Sequence, residues 1–174
     1  MLQKTKTLIF RYIALLIFGF PNLFLFYYIF TPLTVYPVFF ILNFFNEAIL
    51  LSKTEIYFNS ILLEIIPACV SGAAYYFLLI LNLTTPMKQK QRINSLLFLF
   101  LAFLIINILR IVSFSLLYVN GFSFFDLTHK ITWYFGSTIL LIIVWFANVK
   151  LFKISSIPVK TDFQYLYKNI KFKK

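Results

Sequence analysis

Cys69 is the only cysteine of the chain and His129 the only histidine. The thiol sits in Glu64-Ile65-Ile66-Pro67-Ala68-Cys69-Val70-Ser71-Gly72, where a polar segment turns into an apolar one. Proline suits the first position of a helix, because its ring fixes φ and its missing N–H is one of the groups a helix start leaves unpaired. A helix opening at Pro67 places Cys69 in its first turn, where free N–H groups and the macrodipole favour the thiolate, the form that attacks carbonyl carbon. A lone cysteine is otherwise a small buried hydrophobe, so its chemistry depends on what the rest of the chain brings to it.

Two further residues qualify. Arg110 lies inside an apolar run, where a charge costs roughly 2.5 to 3.5 kcal/mol on insertion scales and therefore faces a cavity or a partner. Asn107 and Ser113 stand three residues to either side of it, on the same helical face, which predicts an inward polar seam. His129 opens the last apolar run, with Asp126 and Thr128 available to cap that helix and its positive end favouring the neutral imidazole that a base requires. A thiol, an imidazole and a guanidinium at one level define nucleophilic acyl transfer: Cys69 attacks a peptide carbonyl, His129 moves the proton and Arg110 faces the oxyanion. Glu64 and Asp126 are candidate orienting carboxylates.

Composition says what must position these groups. The 174 residues are 61% hydrophobic and 21% aromatic, with mean hydropathy +0.90, which excludes an ordinary soluble domain and identifies an integral membrane protein. A single cysteine excludes an intrachain disulfide. No Cys/His grouping has metal-ligand spacing, so neither a metal nor a cofactor is expected. The net charge of +11 is gathered in a few places and points to anionic lipid headgroups, not nucleic acid.

The chain reads as a polytopic helical bundle, all-α apart from one short extended segment. An apolar run over 8–30 is a first span, interrupted at Thr31-Pro32 and again at Pro37. Residues 38–51, apolar but short and carrying Asn43, Asn46 and Glu47, read as a re-entrant or interfacial helix. The alternation in 53–66 reads as extended chain. Further spans follow over 67–85, 94–118 (about 36 Å at helical rise) and 128–149. Residues 1–152 form the membrane domain, and the basic segment 153–174 is a tail with the character of an interfacial amphipathic helix. Lysines and arginines collect at the N-terminus, in Met87-Lys88-Gln89-Lys90-Gln91-Arg92 and in the tail, whereas 31–66 has Lys53 against three glutamates. The positive-inside rule then gives four crossings of the cell membrane, both termini cytoplasmic and the Cys69 level toward the opposite face.

In order and depth, Pro67-Ala68-Cys69-Val70-Ser71-Gly72, the basic loop, Asn107-Ile108-Leu109-Arg110-Ile111 and His129 resemble the exosortase/archaeosortase family over roughly residues 8–149. The resemblance implies a membrane cysteine protease or transpeptidase with Cys69 as nucleophile, Arg110 as stabilising cation and His129 as acid/base. Asn107 would be an accompanying position, and with Ser71 it is a candidate for binding or orienting the substrate. It implies substrates as well: exported proteins whose C-terminal tail combines a short motif, a hydrophobic helix and a basic cluster, with the new carboxyl end passed to a membrane lipid acceptor. Two other readings of the residues stand beside it. In a small transporter or channel subunit Arg110, His129 and Asn107 would line a polar path and Cys69 would be dispensable. A noncatalytic assembly partner would tolerate substitution at all three positions. No P-loop, His-Glu-x-x-His, Gly-x-Ser-x-Gly or dinucleotide fingerprint supports another enzyme class.

Overall fold

The computed structural model describes residues 2–20 and 23–155, with side chains from residue 8 onward. Its helices are α1 (Leu2–Gly19), α2 (Phe24–Phe45), α3 (Pro67–Val70), α4 (Gly72–Thr84), α5 (Gln89–Val119), α6 (Phe125–Ile131) and α7 (Ser137–Leu151). Between α2 and α3 lies an antiparallel sheet of β1 (Ala48–Leu50), β2 (Glu55–Phe58) and β3 (Ile61–Glu64), in that spatial order. Four stretches are long and apolar enough to cross a membrane: Phe24–Phe45, Pro67–Thr84, Gln89–Val119 and Phe125–Leu151. The chain is a helical membrane protein. Large exposed apolar side chains along these helices, such as Phe40, Leu97, Ile105 and Phe146, are what a lipid-facing surface requires.

The first crossing differs from the sequence expectation. No single helix covers 8–30; α1 stops at Gly19, and the crossing helix α2 runs through Thr31-Pro32 and Pro37 without interruption. No re-entrant helix forms over 38–51 either, because 38–45 complete α2 and Ala48–Leu50 enter the sheet. The physical reason is the medium. A helix-interior proline forfeits one main-chain bond, here at the carbonyls of Tyr28 and Leu33, but lipid offers the chain no water-bonded alternative to the helix. The break falls earlier, where Phe20 precedes a proline in sequence and Leu23 takes the left-handed conformation (φ 59°).

The bundle has a basic end and a sheet end. Arg11 Nη1 donates to the Leu83 carbonyl (2.9 Å) and Gln91 Nε2 to the Phe152 carbonyl (2.7 Å), so α1, the α4–α5 loop and the end of α7 meet at one end. There Arg92 caps α4, donating to the carbonyls of Asn82 (2.6 Å) and Thr85 (3.0 Å). The sheet and the turn after α5 lie at the other end. Arg11 and the basic loop thus share one end, as the sequence predicts for them; residues 156–174, most of the expected amphipathic tail, lie outside the described residues.

The middle is held by aromatic packing. Tyr75, fully buried, stacks on Phe30 with ring centroids 3.6 Å apart and meets Phe100 and Phe103 edge-on. Interlocked rings suit a bilayer interior, where helices gain nothing by hiding from lipid and association depends on close packing.

The extended segment is more ordered than expected, and the fold is therefore not purely helical. Asn59 and Ser60 join β2 to β3 with φ of 47° and 64°, the two positive values of a type I′ hairpin turn. Ile56 and Phe58 are buried beneath the sheet. Because a non-glycine residue in the left-handed region costs about 1 to 2 kcal/mol, Ser60→Gly is expected to raise the midpoint of thermal unfolding in detergent, and Ser60→Val to lower it.

Candidate active site

Cys69 is placed by a helix that starts as predicted and then fails to continue. Pro67 occupies the first turn of α3 and the Cys69 N–H donates to the Ile66 carbonyl (2.8 Å). After Val70 the chain swings through Ser71 at φ 61° before resuming as α4. The helix carrying the thiol is therefore a single turn, with a much smaller dipole than the long helix the sequence suggested.

The break has a second effect. In a continuous helix the Val70 carbonyl would meet the Ala74 N–H, which instead donates to Ser71 (2.9 Å). Side chains from α5 fill the gap. Buried Asn107 donates through Nδ2 to the Cys69 carbonyl (2.8 Å) and to the Val70 carbonyl (3.4 Å). Arg110, one turn further along the same face, donates through Nη2 to the Cys69 carbonyl (3.3 Å) and through Nη1 to Ser137 Oγ (2.6 Å). Of the polar seam predicted on this helix, Asn107 and Arg110 face inward and grip the backbone of the cysteine, whereas Ser113 is exposed and takes no part.

Ser137 is a partner that sequence reasoning missed. It lies eight residues after His129, a spacing that in a continuous α-helix leaves two residues about 80° apart around the axis. The structure inserts a π-helical segment, Thr132–Gly136, between α6 and α7. Its wider turns absorb an extra residue and bring the two positions nearer to one face. The only sequence signal was that spacing on an otherwise apolar helix.

His129 lies in the last turn of α6, not at its start. The helix begins one residue before Asp126, no side chain caps it, and neither Asp126 nor Thr128 performs the capping role expected of them. The imidazole is exposed and touches two rings, parallel to Phe125 (centroids 5.4 Å, 10°) and edge-on to Phe114 (5.2 Å, 72°).

Cys69, Arg110 and His129 line one cavity of about 410 Å³ at the sheet end. Three separate elements contribute them: α3, α5 and α6. Its walls are largely apolar, from Phe114, Tyr118, Phe125 and Trp133 on one side and the successive residues 61–66 on the other. Glu64 belongs to that wall, directly opposite Glu55 on β2. Asp126 and Ser71 do not line it; Asp126 is exposed and the Ser71 hydroxyl donates to the Ala68 carbonyl (3.3 Å). Asn107 acts from behind, through the main chain. Among the described residues no group of His, Cys, Asp and Glu could hold a metal ion.

No family model, characterised protein or solved structure matches the chain. The site therefore has to be read from its own geometry. Since leaving buried carbonyls unpaired costs about 1 to 3 kcal/mol, Asn107→Leu is expected to lower thermal stability in detergent by that order and to increase proteolysis near residues 69–71.

Proposed function

We propose that this protein is a membrane-embedded cysteine peptidase or transpeptidase of the exosortase/archaeosortase kind. The observation that carries the proposal is that the thiol, the imidazole and the guanidinium, the chain's only cysteine and only histidine with an arginine from within a span, border a single cavity walled by apolar residues.

The reaction follows from the groups. The thiol proton passes to His129, and the Cys69 sulfur forms a bond to the scissile carbonyl carbon while the C=O π bond moves onto oxygen. Arg110 supplies N–H groups toward that oxyanion. Two of its five donors are committed to Ser137 and the Cys69 carbonyl, which hold the guanidinium in place and leave others for the reacting oxygen. Collapse of the tetrahedral species breaks the C–N bond. The departing amine takes the proton from His129, and a thioester remains on Cys69. An acceptor hydroxyl or amine, or water, then gives its proton to His129 and displaces the sulfur.

Substrates of the class proposed are exported proteins ending in a short motif, a hydrophobic helix and a basic cluster, with a membrane lipid as acceptor. The hydrophobic helix would lie beside the bundle, its basic cluster at the basic end, leaving the motif at the level of Cys69. Under the positive-inside rule the basic end is cytoplasmic and the cavity extracytoplasmic.

The test co-expresses the chain with a tailed exported protein and examines Cys69 by mass spectrometry. A thioester-linked fragment that hydroxylamine releases is expected, and Cys69→Ala should abolish both the adduct and the cleavage. Arg110→Ala is expected to slow cleavage by about 10² or more, the usual effect of losing an oxyanion donor. Cleavage retained by Cys69→Ala or Cys69→Ser would overturn the proposal.

A further inference from the structure

We infer that the cavity takes its peptide as an added β-strand along the outer edge of β3, so that main-chain hydrogen bonds from Leu62 and Glu64 deliver the scissile bond to Cys69. The inference rests on the reading of Cys69 as the nucleophile and names how its substrate is held.

The register of the sheet supplies the first argument. Glu55, Ile56, Tyr57 and Phe58 oppose Glu64, Leu63, Leu62 and Ile61 in turn. One step beyond, Ile65 N–H donates to the Thr54 carbonyl (2.8 Å), which marks that opposed pair as hydrogen-bonded. Hydrogen-bonded and non-bonded pairs alternate along an antiparallel ladder. Leu63 and Ile61 therefore bond to β2, whereas the N–H and C=O of Leu62 and Glu64 point the other way. β3 is the last strand on that side, and among the described residues no group pairs with these four.

The cavity wall supplies the second. Side chains on a strand alternate between faces, so a cavity lying on one face of β3 would touch every other residue. Here every residue from Ile61 to Ile66 borders it. The cavity reaches beneath the sheet to Ile56 and Val38, but contact with both faces of this strand requires that it also pass the strand edge, over roughly 20 Å at about 3.3 Å per residue. The strand leads, through Ile66 and Pro67, into the turn that carries Cys69.

The chemistry of the edge points the same way. Two donors and two acceptors two residues apart, facing a largely apolar space, call for a ligand with matching polar groups at the same repeat. An extended peptide has them; a lipid acyl chain has none. Binding through the main chain would fix direction and depth while leaving sequence preference to the side-chain contacts with Phe114, Tyr118, Phe125 and Trp133.

The full chain in detergent micelles can be tested with two alkylating probes followed by intact mass. One is the chloromethyl ketone of acetyl-Val-Leu-Phe; the other is iodoacetamide, which reports thiol reactivity without needing the edge. The ratio of the two rates at Cys69 is expected to fall at least tenfold when the peptide nitrogens of the probe are methylated. It is expected to fall similarly in Leu62→Pro, which removes an edge N–H but no β2–β3 bond; if that variant does not fold, the methylated probe decides alone. A smaller fall, as for a cavity that takes an acyl chain, overturns strand addition and leaves the nucleophile intact. Failure of both probes to label Cys69 overturns the nucleophile reading and this inference with it.

Discussion

The sheet end of this protein depends on two main-chain carbonyls, those of Cys69 and Val70, that the left-handed turn at Ser71 leaves for side chains to satisfy. In a membrane such groups cannot turn to water, so a helix break survives only where a neighbour supplies donors. Asn107 and Arg110 supply them from α5. The same contacts that permit the break also bind α3 to α5, and so fix the depth of the thiol relative to the guanidinium. Structural need and chemical placement are met by the same hydrogen bonds.

That arrangement accounts for a charge in a span. Arg110 is anchored on both sides, by the Cys69 carbonyl and by Ser137 at the start of α7, so one guanidinium ties the turn that carries the thiol to the helix that follows the π segment after His129. The π-helical segment belongs to the same logic. Thr132 and Trp133, inside it, border the cavity, and its extra residue brings Ser137 toward the face that His129 presents.

The sequence displayed the parts governed by transfer energy and hid those governed by local geometry. Apolar length was enough for three of the four crossing stretches, those that open near Pro67, Asn94 and Thr128, and it misplaced the first. Pro67 announced the start of α3, and the three-residue spacing of Asn107 and Arg110 announced one polar face. By contrast, Pro32 and Pro37 read as breaks because proline propensities describe helices in water, whereas α2 carries both. Asp126 read as a cap from its residue type, yet the helix starts before it. Neither the left-handed Ser71 nor the π segment has a composition of its own, since both follow from tertiary contacts that span from 27 to 41 residues of sequence.

The helix break and the strand edge are two answers to one constraint. Both expose backbone polar groups at the sheet end, and each leaves them a different partner. The carbonyls of the break are met inside the protein and become part of the frame. Those of β3 at Leu62 and Glu64 point away from β2, on a strand that borders the cavity along its whole length, and have no partner among the described residues. An interior that satisfies its own backbone beside the thiol, but leaves an open ladder leading to it, separates what must stay fixed from what must be supplied. The frame holds Cys69 in place, while the outward polar groups of Leu62 and Glu64 have no partner among the described residues.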